Sequence, residues 1–206
     1  MERTDEGNQT IDITPFTPGW TQPGELVRMA LERDLREEAR AAIATMLESR
    51  EHRAEAWFLR GVLALIEGEN GVADDAFGRA LAEGLADRSV RLGAAMSALA
   101  LGRADDAWRQ LESLAAEVPG DAEILHWCLR AAVEADEFEG ALLILERHIA
   151  LRPDDTAARF ARAAIAARLG QDELARAERD EIARRDPEFA GLDAVSALVA
   201  DARRAA

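Results

Sequence analysis

Residues 54–87 read AEAWFLRGVLALIEGENGVADDAFGRALAEGLAD, and this segment carries the clearest structural signal in the chain. Apolar residues recur at spacings of three and four on both sides of Gly68, which indicates two amphipathic helices of about 13 residues separated by a glycine stop signal. The small residues Gly61, Ala64 and Ala73 fall where these helices face each other, and small side chains allow a close approach. The stretch therefore predicts a single helical hairpin.

The length of this hairpin, 34 residues, recurs along the chain as a fixed spacing. Prolines and glycines follow it at Pro119, Pro153 and Pro187 and at Gly68, Gly102 and Gly170, with Asp136 in the remaining place of the glycine series. Two alanine series are complete: Ala30, Ala64, Ala98, Ala132 and Ala166, and Ala39, Ala73, Ala107, Ala141 and Ala175. A fixed period of this length is the signature of a repeat architecture. The chain accordingly divides into five consecutive units, which are 20–53, 54–87, 88–121, 122–155 and 156–189.

The second unit resembles a tetratricopeptide repeat (TPR). Six of its residues occupy signature positions of that repeat, namely Trp57, Gly61, Ala64, Ala73, Phe77 and Ala80. The resemblance covers residues 20–189. It is weaker in the terminal units, where Pro23 replaces an aromatic residue and Arg159 and Arg179 replace large apolar ones. Such departures suit terminal repeats, because these have one neighbour rather than two.

The resemblance implies an all-α fold, an α-solenoid in which helix-turn-helix units stack into a right-handed superhelix. We expect residues 1–19 to form an extended or disordered N-terminal segment. Residues 190–206 place Leu192, Val195 and Leu198 at helical spacing, which predicts a C-terminal capping helix.

Composition excludes several classes of function. The 206 residues carry 40 acidic and 25 basic side chains, a net charge of −15, and nucleic-acid binding needs the opposite balance. No apolar run is long enough to span a bilayer, and the polar N-terminal residues lack the apolar segment of a signal peptide. All basic residues are arginine, which is typical of a GC-rich bacterial genome. We expect a cytoplasmic protein with no nucleic-acid partner and no membrane insertion.

Few residues could support catalysis or bind a metal. Cys128 is the sole cysteine, which leaves no multi-thiolate site within one chain. His126 lies two residues away, and such residues point about 200° apart on a helix, so the two cannot share a metal. We expect a buried Cys128 and a partly buried His148 with a hydrogen-bond partner. The acid pairs favour helix capping over metal binding: Asp74-Asp75, Asp105-Asp106 and Asp154-Asp155. The sequence predicts no enzyme, no metal site and no cofactor.

The TPR resemblance implies a concave groove lined by the first helix of every unit. Family geometry assigns twelve residues to this lining: Phe58, Val62, Leu65, Ile66, Leu92, Met96, Leu99, His126, Arg130, Val133, Phe160 and Arg168. The set is largely apolar with a cationic end, where Arg130 and Arg168 could pair with a ligand carboxylate. Two other interpretations stay open. The apolar residues could pack against neighbouring helices or a second copy, and the arginines could simply be solvated.

The predicted function is a non-catalytic protein-interaction module, an adaptor or assembly chaperone that binds a peptide or an amphipathic helix of a partner protein in the groove. Two alternatives remain. One is a self-associating scaffold, hence a homo-oligomer, whose groove is filled by its own N-terminal segment. The other is a regulatory subunit of a separately encoded enzyme.

The N-terminal segment poses a separate question. Residues 10–20 read TIDITPFTPGW, and the alternation of apolar and polar residues with two prolines favours an extended conformation. Either this segment is a disordered tail, or Ile11, Ile13 and Phe16 dock onto the repeats of the same chain or of a neighbouring copy. Nineteen extended residues reach up to about 60 Å.

Overall fold

The computed structural model describes residues 21–189 together with residues 191 and 194. The predicted N-terminal segment and, apart from two residues, the predicted capping helix lie outside this part of the chain. The described residues form no strand and ten helices: α1 (Gln22–Glu32), α2 (Arg36–Glu48), α3 (Arg53–Ile66), α4 (Asn70–Ala82), α5 (Arg88–Ala100), α6 (Ala104–Glu117), α7 (Ala122–Glu134), α8 (Phe138–Leu151), α9 (Thr156–Arg168) and α10 (Asp172–Arg185). The all-α prediction is confirmed. Among these residues, no helix combines the length and apolarity needed to cross a membrane.

The helices form two compact groups. The N-terminal half ends at Arg103 and contains α1 to α5, and the C-terminal half begins at Ala104 and contains α6 to α10. Within each half, contacts join helices that are no more than two apart along the chain. Consecutive packing of this kind makes the core a series of interfaces between neighbouring helices.

The first helices of several units begin at an aspartate that recurs once per repeat. Asp87, Asp121 and Asp155 accept hydrogen bonds from backbone amides in the first turns of α5, α7 and α9, at 3.0, 3.0 and 2.9 Å. These amides have no partner within their own helix, so the carboxylates stabilise the helix starts.

Of the acid pairs predicted to lie at helix starts, Asp155 caps α9, and Asp105 and Asp106 lie in the first turn of α6, where carboxylates favour the helix dipole. Asp74 and Asp75 lie inside α4 rather than at its start. They pair instead with Arg103 at 2.5 Å and Arg79 at 2.9 Å. The physical reason is position, because a side chain in mid-helix faces no free backbone amide.

The first helix of each unit is followed by a residue with a left-handed backbone. Gly68, Gly102 and Gly170 have φ angles of 73°, 73° and 70°, and Asp34 and Asp136 at the equivalent places have φ angles of 56°. Glycine adopts this conformation without steric cost, and aspartate tolerates it better than most residues. The glycine series therefore marks the ends of the first helices, as predicted.

The two alanine series lie in the core. Nine of the ten alanines are buried and Ala30 is half-buried. Aromatic rings use the same kind of space, since Phe77 packs between Gly61 on α3 and Gly93 on α5, where an added methyl group would lie 2.7 and 2.5 Å from the ring. Small residues thus set the distances between helices.

Candidate functional site

The twelve residues predicted to line a groove differ in exposure. Four take part in core packing, namely Phe58, Val62, Leu92 and Leu99, none of them more than 5% exposed. Four are half-buried, namely Leu65, Ile66, Met96 and Phe160. The four exposed residues are His126, Arg130, Val133 and Arg168. All four exposed residues lie on α7 and α9 in the C-terminal half, so that half carries the accessible part of the predicted lining.

Three of the exposed residues form one face of α7. His126, Arg130 and Val133 follow each other at spacings of four and three, which places them on the same side of a helix. Val133 is an apolar side chain that is 58% exposed. The face therefore offers an apolar contact beside a cation and an imidazole.

Trp127 holds the cation of this face in place. The guanidinium of Arg130 lies 5.3 Å from the centre of the Trp127 ring, a cation–π distance. The ring of His126 stands edge-on to Trp127 at 5.5 Å. Sequence reasoning missed Trp127, although a tryptophan three residues before an arginine on one helix is the signal that identifies such a pair.

Arg130 remains available to a ligand. Its ion pair with Glu134 is 3.4 Å long, and both side chains are well exposed. Exposed ion pairs of this type contribute about 0–1 kcal/mol to stability. Arg130 can therefore exchange Glu134 for a carboxylate of a bound peptide at little cost.

The second exposed cation is at the end of α9. The guanidinium of Arg168 lies 4.4 Å from the centre of the Phe138 ring and 3.5 Å from a carboxylate oxygen of Asp136. Its side chain is 63% exposed. Arg168 thus resembles Arg130, in that an aromatic ring supports it and only a weak ion pair neutralises it.

The faces of α7 and α9 do not cover each other. Both helices pack against α8, but among the residues that the structure describes the backbones of α7 and α9 do not approach each other closely. In the N-terminal half, by contrast, α1 contacts α3 and α3 contacts α5 directly. The first helices in the C-terminal half therefore leave more of their surfaces free.

The other arginines of α9 serve the interior. Arg159 and Arg162 donate to the two carboxylate oxygens of Glu178 on α10, at 2.8 and 2.7 Å. The side chain of Glu178 is 6% exposed, so the three charges form a largely buried network that joins α9 to α10. This network explains why a charged residue, Arg159, stands at a position that normally holds an apolar one.

The histidine and thiol singled out for possible chemistry are structural. Burial, with a further contribution from the charge of Glu112, raises the pKa of Cys128 to about 12, so its thiol stays protonated. The Sγ atom of Cys128 donates to the backbone carbonyl of Leu111 at 3.4 Å. His148 is 2% exposed, more buried than predicted, and its Nε2 lies 2.8 Å from Oδ2 of Asp155. The described residues contain no group of three potential metal ligands.

No protein-family model matches the sequence, and no curated protein matches it. Solved structures do match. YrrB, a TPR protein with an unusual peptide-binding site, superposes with a TM-score of 0.70 at 16% identity, over 88% of this chain and 90% of YrrB.

Two further structures match over most of their lengths. A double mutant of MamA from Desulfovibrio magneticus RS-1 gives a TM-score of 0.67 at 15% identity, over 84% of this chain and 99% of MamA. PilF of Pseudomonas aeruginosa gives 0.64 at 17% identity, over 88% of this chain and 83% of PilF. The consecutive helical hairpins and these likenesses together show that the chain has the tetratricopeptide repeat fold.

Proposed function

We propose that the protein is a non-catalytic interaction module, an adaptor or assembly chaperone that binds a peptide or an amphipathic helix of a partner protein. The observation that carries this proposal is the uncovered surface of α7 and α9, with exposed Val133 beside Arg130. YrrB, which has the same fold, has a peptide-binding site. The cytoplasmic location predicted from the sequence remains a prediction.

The surface of α7 and α9 favours a ligand with apolar side chains and at least one carboxylate. Arg168 lies outside the buried network with Glu178, and α9 carries no acidic residue, although the whole chain has a net charge of −15. Arg130 and Arg168 each stand over an aromatic ring, which orients a guanidinium without neutralising it. Charge-assisted hydrogen bonds from both would fix the direction in which a peptide lies.

Charge reversal tests this proposal. The partner is first identified by co-purification from the native host and mass spectrometry, and its affinity for the purified chain is then measured by calorimetry. We expect Arg130→Glu and Arg168→Glu each to weaken binding by about tenfold or more, since a charged hydrogen bond contributes about 1.5–3 kcal/mol. Arg109→Glu is the matched control, because Arg109 is an exposed arginine on α6 that pairs with Asp106.

Two results would contradict the proposal. Unchanged affinity in both charge-reversed variants would show that α7 and α9 do not bind the partner. Light scattering that finds only a stable oligomer, with no partner recovered, would favour the self-associating scaffold instead.

A further inference from the structure

A cleft of about 220 Å³ opens between α2 and α4 in the N-terminal half. Its floor is apolar and is formed by Ile43, Ala44, Leu47, Leu63, Ala64 and Val72. Its rim is polar and is formed by Arg40, Arg60, Glu67 and Glu69. We call this surface the α2–α4 cleft.

The α2–α4 cleft lies on a different side of α3 from the predicted groove. The cleft-lining residues of α3 and its C-terminal end are Arg60, Leu63, Ala64 and Glu67, and the groove residues are Phe58, Val62, Leu65 and Ile66. At about 100° per residue, the two sets are centred on opposite faces of the helix. An occupant of the cleft therefore does not compete for the surface proposed to bind a partner.

The equivalent space is filled in the C-terminal half. Trp108, two repeat lengths after Arg40, is 4% exposed and packs against Gly140 of α8. One repeat further on, Leu142 and Leu174 pack against the buried alanines of α9 and α10. Trp108 thus fills the space between the second helices α6 and α8, and a large apolar residue, Leu142, stands at the next equivalent place.

The cleft is open because the residue equivalent to Trp108 and Leu142 is here a charged one, Arg40. Arg40 forms an ion pair with Glu67 at 2.6 Å instead of covering the apolar floor. The floor therefore remains available to apolar side chains from elsewhere. A volume of 220 Å³ accommodates one large or two medium-sized apolar side chains.

We propose that residues 11–16 of the same chain, Ile-Asp-Ile-Thr-Pro-Phe, occupy the α2–α4 cleft. In an extended segment, residues two apart point to the same side. Ile11 and Ile13 therefore both face the apolar floor, and Asp12 between them faces the rim. This interaction is independent of the proposed partner surface.

The chain is long enough for this interaction. The backbone amide and the hydroxyl of Thr21 donate to the carboxylate of Glu55 at 3.1 and 2.5 Å, which fixes the start of the described chain beside α3. Leu63 on the cleft floor lies about 12 Å further along α3 and about 10 Å around it. The eight residues from Ile13 to Thr21 span up to about 28 Å. The segment can therefore pass around the end of α3 and enter the cleft.

One residue of the rim, Arg60, suits the same occupant. The guanidinium of Arg60 lies 5.2 Å from the centre of the Trp57 ring, and among the described residues it has no carboxylate partner. An unpaired cation beside an apolar floor fits a segment that carries a carboxylate between two apolar side chains. Asp12 supplies that carboxylate, and its neighbours Ile11 and Ile13 supply the apolar contacts.

Disulfide trapping in the full-length chain tests the proposal. Ile13→Cys is combined with Ala44→Cys, which lies on the cleft floor, or with Thr45→Cys, which is exposed on the other side of α2. We expect the first pair to cross-link at least about tenfold faster, at a rate that does not depend on protein concentration. The native Cys128 is buried and does not compete.

The outcomes are distinct. Equal rates for the two cysteine pairs would overturn the proposal, and so would a cross-link that forms mainly between copies and accelerates with concentration. Arg60→Glu in the Ile13→Cys, Ala44→Cys background is expected to slow cross-linking several-fold. Arg79→Glu is the control, because Arg79 stands over the same Trp57 ring outside the cleft lining. An unchanged rate in Arg60→Glu would overturn the pairing with Asp12.

Discussion

Single residues decide where the helices end. At the ends of the first helices, five residues at equivalent places, one in each repeat, have positive φ angles, and three of them are glycine and two are aspartate, Asp34 and Asp136. A side chain in this conformation meets its own backbone, and only glycine avoids the strain. The left-handed conformation therefore destabilises the fold at the two aspartates and not at the three glycines.

Exchanging residues within this series should change stability in opposite directions. We expect Gly68→Ala to lower the free energy of unfolding by about 1 kcal/mol, because no other atom lies near the added methyl group and only backbone strain acts. Asp136→Gly should raise the free energy of unfolding by about 0.5 kcal/mol. The backbone strain that it releases is larger than the stabilisation lost with the weak, exposed ion pair to Arg168. Urea denaturation measures both, and a stabilised Gly68→Ala variant would contradict the explanation.

At the scale of helices, period and stop signals predicted the fold well. The series of glycines and prolines marks helix ends, and these depend on local backbone conformation, which the sequence carries directly. Contacts between helices were harder to predict. The Arg159–Glu178–Arg162 network requires knowing that α9 and α10 bury three charges together, which no local pattern reveals.

The predicted groove also combines a feature that the sequence predicts with one that depends on contacts between helices. Family geometry gives the side of a helix that a residue faces, but not whether a neighbouring helix covers it. Phe58 and Val62 are therefore core residues, whereas Val133 on α7 is exposed. The repeat spacing is the same for the buried residues and for the exposed one. Their burial differs because it depends on which neighbouring helices cover each residue.

One carboxylate joins two helices and introduces a dependence on pH. Burial alone would raise the pKa of Asp155, but hydrogen bonds from the Ala158 amide and from His148 outweigh it and lower the pKa below its ordinary 3.8. A carboxyl group with a lowered pKa in the folded state stabilises the protein above its unfolded pKa. That stabilisation is lost as the pH falls through the folded pKa.

Asp155→Asn tests this dependence. Asparagine can still cap α9, but it carries no charge for His148. We expect the wild type to be more stable than the variant at pH 5 to 7 and the difference to shrink as the pH falls below about 4. Asp154→Asn controls for the loss of one negative charge, since the carboxylate of Asp154 is 92% exposed. Chemical denaturation across this pH range measures the difference, and a constant difference would refute the assignment.

For the whole molecule, consecutive packing predicts that damage stays local. Contacts within each half join only helices close in the chain, so a destabilised interface affects its neighbours first. Gly140→Ala should be damaging, because the added methyl group would overlap the ring of Trp108 between α6 and α8. Gly78→Ala on α4 should be neutral or stabilising, since no other atom lies near that position.

Hydrogen exchange monitored by mass spectrometry tests this localisation. In Gly140→Ala we expect faster amide exchange in α6 to α8, with α1 to α4 unchanged. A uniform increase across all helices would show instead that the molecule unfolds as one cooperative unit.

The single thiol gives the protein an internal reporter of its own opening. Because Cys128 is buried and its pKa is raised to about 12, thiol reagents cannot modify it while α7 is packed in place. The rate at which Cys128 is modified therefore measures how often the C-terminal half opens, without a label or an engineered probe. If a ligand bound to α7 and α9 holds these helices closed, the same thiol would become measurably slower to react.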